Sequence, residues 1–137
     1  MRVFADSSAL AKLYFEETSS AETEMTLRGA TALGVSALCV PEVVSAMNRR
    51  RREALLGAAP YRAAKAKFLN DMRDADLLPL STSIVDRTIA LLEKSPLRAS
   101  DAVHVASALD WRCDLFVSGD ERQIAAARKA GLATHKV

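Results

Sequence analysis

Aromatic residues make up only 5% of this 137-residue chain, which also holds just five glycines, four prolines, two cysteines and two histidines. So little glycine and proline argues against disorder and against a loop-rich all-β fold. Cys39 and Cys113 are far apart, each in apolar surroundings. They supply neither a disulfide framework nor the close-spaced ligands of a zinc site, and both are read as small buried residues. The longest apolar window, ALGVSALCVPEVVSAM, is broken by Pro41 and Glu42, short of the roughly 18–20 clean residues a membrane helix needs. Arg2 is followed by only a brief apolar run before Asp6, unlike a secretory leader, and the expected location is the cytoplasm. The net charge of +2 is too small to identify a nucleic-acid binder by itself.

Other absences exclude whole chemistries. The glycines form neither GxGxxG nor GxxxxGK[ST], which removes dinucleotide-binding and P-loop readings. GxSxG is missing, and Ser8 and Lys12 stand at i and i+4, one residue off the SxxK spacing of a serine acyl-transfer enzyme. A phosphoacceptor receiver domain would want paired acids after the first strand and an aspartate after the third. Here Ser7 follows Asp6, and LLPLS ends in serine.

What is present is a chain that is 50% hydrophobic and 26% charged, expected to fold as a single domain over residues 1–137 and to bury roughly two thirds of its surface. Short β-like runs at RVFA (2–5), ALGVS (32–36), LLPLS (77–81), LFVS (115–118) and ATHKV (133–137) alternate with Ala- and Leu-rich helical patterns. The alternation predicts an α/β fold with a mainly parallel sheet of four to five strands. Helix starts are expected near Ser7, Ser19, Ala37, Ala59, Thr82, Ser100 and Asp120, with Gly131 as a C-terminal stop. Gly57 and Pro60 separate two helical patterns into an antiparallel pair or arm.

In open parallel sheets the active crevice lies beyond the carboxyl ends of the strands. Asp6 follows RVFA and Asp120 follows LFVSG, and each taken alone reads first as a helix cap or first-turn acid. Glu42 sits in LCVPEVVSAM between apolar neighbours, in the first turn of a helix. Asp101 opens SDAVHVASAL with Val105 and Ala108 at i+4 and i+7, which places it on the inward, small-residue face unless Ser100 or Asp101 is a simple cap. Three or four acids at element ends point to a carboxylate cluster, which persists most readily around a divalent cation. Oxygen-only ligands suit magnesium or manganese, and that chemistry serves phosphodiester hydrolysis.

These residues resemble the PIN-domain family, and within it the VapC-type toxin ribonucleases of toxin–antitoxin systems. The resemblance covers nearly the whole chain and rests on DSSAL with Asp6 and Ser8, PEVVSAMNR with Glu42, SDAVHVASAL with Asp101, and FVSGDERQIAAARKAGL with Asp120. It implies an α/β/α fold and a Mg2+- or Mn2+-dependent endoribonuclease. Asp6, Glu42, Asp101 and Asp120 would be the catalytic acids, with metal ligation by Asp6 and Asp101 and by Glu42 and Asp120 as further candidates. Ser8 and Ser118 would support the site. It also implies RNA as substrate, a cognate antitoxin and homodimerisation. The rival reading is a non-catalytic PIN-like module that binds RNA or protein, its acids serving only as caps.

NRRRREALL adds Arg49, Arg50, Arg51 and Arg52 at a helix end. Four consecutive residues sweep a whole turn, so they cannot share one groove. They are read either as solvated cations on the helix dipole or as contacts to RNA phosphates or to an antitoxin. His104, one turn after Asp101, is read as a packing or solvent-edge residue. His135 has no stronger claim, and Trp111 and Phe116 are assigned to the core or an interface.

Overall fold

The computed structural model describes residues 1–15 and 19–137. The strands are β1 (Arg2–Ala5), β2 (Ala32–Ser36), β3 (Asp76–Leu78), β4 (Leu115–Ser118) and β5 (Thr134–Lys136). The helices are α1 (Ser7–Ala11), α2 (Ser20–Arg28), α3 (Cys39–Arg52), α4 (Ala58–Asp71), α5 (Thr82–Lys94), α6 (Ala99–Trp111) and α7 (Glu121–Lys129), with one 3-10 turn at Met72–Asp74. All four strand pairings are parallel, in the order β3-β2-β1-β4-β5.

Side-chain alternation along the central strands divides the core in two. Val3, Ala5, Val35 and Val117 face α1 to α4, packing with Leu10, Leu27, Val43, Met47 and Phe68. Phe4 and Phe116 face the other way, onto α5 to α7, with Ile84, Val105 and Ile124. The parallel α/β sheet expected from the alternating pattern and the α/β/α layering that the family resemblance implies are what form, with β1 and β4 feeding both cores through a period of two.

Local chemistry sets the element ends. Asp6 is extended (φ −82°, ψ 175°) and its side chain accepts Ala9 N–H, starting α1. Ser81 caps α5 through Ile84 N–H, and α5 buries Ile84, Thr88 and Leu91 at i, i+4 and i+7. Gly131, the expected stop, has φ +96° just past α7, where a side chain would be strained. The third strand is shorter than LLPLS suggests, spanning Asp76–Leu78. Pro79 has no N–H to extend the ladder, and Ser81 is committed to its cap.

Two readings need correction. Cys113, in the loop entering β4, is only half-buried, whereas Cys39 is fully enclosed. Neither Ser100 nor Asp101 caps α6, because the cap position is Arg98. Asp101 thus sits inside the first turn with its carboxylate available for other work.

Candidate functional site

The chain leaves β1 toward one core, through α1, and leaves β4 toward the other, through α7. β1 and β4 are neighbours, so their carboxyl ends form the point where the winding direction switches. Crevices open there in doubly wound sheets because the two following helices diverge. Asp6 and Asp120 follow these two strands.

Asp6 is 1% exposed. Its carboxylate accepts Ser8 Oγ–H at 2.8 Å from each oxygen, Ser118 Oγ–H at 2.8 Å on Oδ2 and Ala9 N–H at 3.0 Å on Oδ1. Burial raises its pKa, opposed by Ala9 N–H, the field of His104 and the two serine hydroxyls. The capping reading of Asp6 therefore holds, and the same carboxylate is buried. Ser118 Oγ also accepts Asp120 N–H at 2.9 Å, and Ser8 Oγ accepts Gly119 N–H at 2.9 Å. The two supporting serines thus lace the β1 and β4 exits together.

Asp120 caps α7, with Oδ1 accepting Arg122 N–H at 2.8 Å and Gln123 N–H at 3.3 Å. Asp101 reaches this group through Gln123, whose Nε2 donates to Asp101 Oδ1 at 3.0 Å. Glu42 enters from α3, in the opposite layer. Its Oε1 accepts Ser7 Oγ–H at 3.0 Å and lies 2.6 Å from His104 Nε2. The His104 bond holds the Glu42 carboxyl below the usual carboxylate range, against partial desolvation.

Glu42, Ser7 and Ser8 open onto a cavity of about 470 Å³ between α1 and α3, bounded further out by Arg49 and Arg50. Arg50 is stacked over Phe15, its guanidinium carbon 4.1 Å from the ring centroid. Arg51 lies over Tyr61 at 5.2 Å, and neither it nor Arg52 lines the cavity. Helical geometry accounts for the split: Glu42, Ala46, Arg49 and Arg50 stand at i, i+4, i+7 and i+8 on one face.

The sequence matches the PIN domain family over residues 3–129. The chain belongs to the PIN domain family. No curated protein matches it. Among solved structures it resembles FitAcB of Neisseria gonorrhoeae, with a TM-score of 0.75 at 12% identity, covering 98% of this chain and 96% of the other. VapC20 of Mycobacterium tuberculosis, described as a toxin that cleaves the sarcin–ricin loop, gives 0.73 at 16% identity, covering 98% and 99%. A toxin–antitoxin complex from Klebsiella pneumoniae gives 0.71 at 17% identity, again covering 98% and 99%. At such identities the likeness is one of fold.

Whether this PIN domain suits a metal is a question of donors. The four acids offer only oxygen, and none pairs with a lysine or arginine among the described residues. That donor chemistry fits a hard divalent cation. Yet no three acids, histidines or cysteines among the described residues converge enough to hold an ion together. The expected cluster is thus spread out: Asp6 is laced to serines, Asp101 to Gln123, Asp120 to its helix and Glu42 to His104. The arrangement fits an ion taking one or two direct carboxylates, its other positions left to water and substrate oxygens.

Three residues of the site escaped the sequence reading. Ser7 was visible only as the neighbour of Asp6. Gln123 stands three residues after the Asp120 cap, where a capping box would turn it back on the cap N–H; here it turns to Asp101 instead. His104, read as a packing or edge residue, is indeed buried, at 1% exposure, but it is bonded to an acid 62 positions away.

Proposed function

We propose that this PIN domain is a magnesium- or manganese-dependent endoribonuclease that acts in the cytoplasm as the toxin of a toxin–antitoxin pair. The observation carrying this reading is that Asp6 is buried just past β1, its carboxylate bonded to serine hydroxyls and a backbone N–H, while no lysine or arginine pairs with it or with Glu42, Asp101 or Asp120 among the described residues. A buried carboxylate such as Asp6, left without a cationic side chain, is costly to the fold, and a divalent ion would offset that cost.

Asp6 and Asp101 would hold the ion, with Glu42 and Asp120 as further candidate ligands and catalytic acids. When bound, such an ion supplies Lewis acidity toward a phosphoryl oxygen and lowers the pKa of a water for in-line attack. The protein's own residues orient the acids. Ser8, Ser118 and Ala9 N–H fix Asp6, and Gln123 aims Asp101. Arg49 and Arg50 flank the cavity that Glu42 lines, which suits contact with RNA phosphates near the site. The fold it shares with a toxin–antitoxin complex supports a cognate antitoxin as partner, and a homodimer is the expected assembly. No helix among the described residues is long and apolar enough to cross a membrane.

The test uses purified protein freed of any partner. It should degrade RNA with Mg2+ or Mn2+ and stop with excess chelator, while Asp6→Asn and Asp101→Asn stay folded and lose cleavage. Equal degradation by the wild type and both variants would assign the activity to a contaminant. Retained RNA binding with no metal-dependent cleavage would favour the binding-module reading. For the toxin role, expression alone should arrest growth, Asp101→Asn should relieve the arrest, and the product of an adjacent small reading frame should protect the host.

A further inference from the structure

We infer that His104 is a positioning residue for Glu42: it holds Oε1 of Glu42 so that Oε2 is the oxygen presented to the cavity. The inference rests on the metal-dependent reading and adds to it a residue and a division of labour within one carboxylate.

α6 is otherwise lined with small and aliphatic residues where it is buried. Ala102, Val103, Val105, Ala106 and Ala108 surround His104 in sequence, and only Ser107 shares its polarity. A residue with only a space-filling task there would most cheaply be aliphatic, because a buried imidazole must recover the hydration it loses. His104 recovers it at one atom. Nε2 lies 2.6 Å from Glu42 Oε1, while Nδ1 has no hydrogen-bond partner among the described residues. A ring nitrogen beside a carboxylate oxygen must be the one that carries the proton, so Nε2–H donates to Glu42. Ser7 Oγ–H donates to the same oxygen at 3.0 Å and lies 3.4 Å from the imidazole nitrogen.

The placement gives the contact its consequence. Glu42 belongs to a helix packed on one face of the sheet, and His104 to a helix packed on the other. Their bond straps the two layers together beside the cavity between α1 and α3. A glutamate side chain has three rotatable bonds and loses considerable freedom when ordered. Two donors on Oε1 supply that ordering before any ligand arrives. Oε2 accepts no hydrogen bond among the described residues, on a side chain that lines the cavity. Partners that orient a ligating group in this way affect metal affinity nearly as much as the ligands do.

The experiment compares His104→Leu, which removes the donor, with His104→Gln, which keeps an N–H at similar reach, each alone and on a Glu42→Gln background. Thermal melts confirm folding. Should the leucine variant melt below the assay temperature, His104→Asn, too short to reach Glu42, replaces it. In metal-free crystals, Glu42 should lose its single orientation in His104→Leu and keep it in His104→Gln. Mn2+ affinity by titration calorimetry should fall about 10- to 100-fold in His104→Leu and largely return in His104→Gln. On the Glu42→Gln background, the leucine substitution should change nothing further. Unchanged Mn2+ affinity in His104→Leu, no rescue by glutamine, or an equal loss on the Glu42→Gln background overturns the inference. A wild type that neither binds Mn2+ nor cleaves RNA, yet whose Glu42 orientation still follows residue 104, removes the metal reading and leaves the positioning role standing.

Discussion

Ser118 Oγ donates to Asp6 Oδ2 at 2.8 Å, joining residues 112 positions apart at the ends of neighbouring strands. The same hydroxyl accepts Asp120 N–H, so one serine couples the exit of β1 to the start of α7. The buried acid is thereby held in one orientation but not neutralised.

Asp6→Asn should therefore stabilise the metal-free protein. Burial puts the folded-state pKa of Asp6 above its ordinary 3.8. Its contribution to stability is fully present below that ordinary value and is lost as pH rises through the raised folded pKa. The amide escapes this loss. The gain should be largest near neutrality and should shrink as the pH falls toward 4. Scanning calorimetry across pH checks it. Mn2+ should then raise the wild-type Tm and not that of the variant, reversing their order.

Glu42 should show the opposite slope. Its folded-state pKa lies below the ordinary 4.5 because of the His104 bond, so its stabilising effect is present above that value and is lost as pH falls through the lowered folded pKa. Glu42→Gln should melt lower than the wild type at neutral pH, and the gap should close under acid conditions. A gap that widens on acidification would contradict the assigned cause. The side chain is 37% exposed, so added salt should reduce the gap as well.

The four arginines should separate in RNA binding. Arg49 lines the cavity that holds Glu42, and Arg52 does not. In chelator, with single-stranded RNA read by fluorescence anisotropy, Arg49→Gln should weaken binding and flatten the plot of log affinity against log salt by about 0.7. Arg52→Gln should leave the slope nearly unchanged. Equal effects at both positions would mean a diffuse electrostatic contribution instead.

Gly34→Ala tests the second core. A Cβ at Gly34 would stand 2.7–2.9 Å from three ring atoms of Trp111. The indole is restrained by an edge contact with Phe4 at 6.2 Å between centroids and by the Arg2 guanidinium at 3.9 Å. The substitution should cost about 1–3 kcal/mol, and Trp111→Leu in the same chain should recover part of it. Thermal melts of the single and double variants decide.

Much of this architecture is written in local pattern. Alternating β-like runs and helical stretches specify a parallel α/β sheet, because period-two and period-3.6 patterns cannot interchange. Extended Asp6 and Ser81 announce helix starts, and Gly131 announces a stop, through bonds and dihedrals confined to a few residues. The four acids are visible for the same reason, each standing just past a strand or in a helix's first turn.

The partners of those acids were decided only by tertiary structure. Nothing near Glu42 in the chain points to His104, and nothing near Asp101 points to Gln123, because these bonds form where helices from different parts of the sequence meet at the sheet's end. Nor does composition say which of four arginines shares a face with Glu42; the phase of α3 settles that. Asp6, Glu42, Asp101 and Asp120 are determined one by one by the sequence. Their orientation, burial and company come from strand order, since the β1–β4 switch point exists only once five strands have paired.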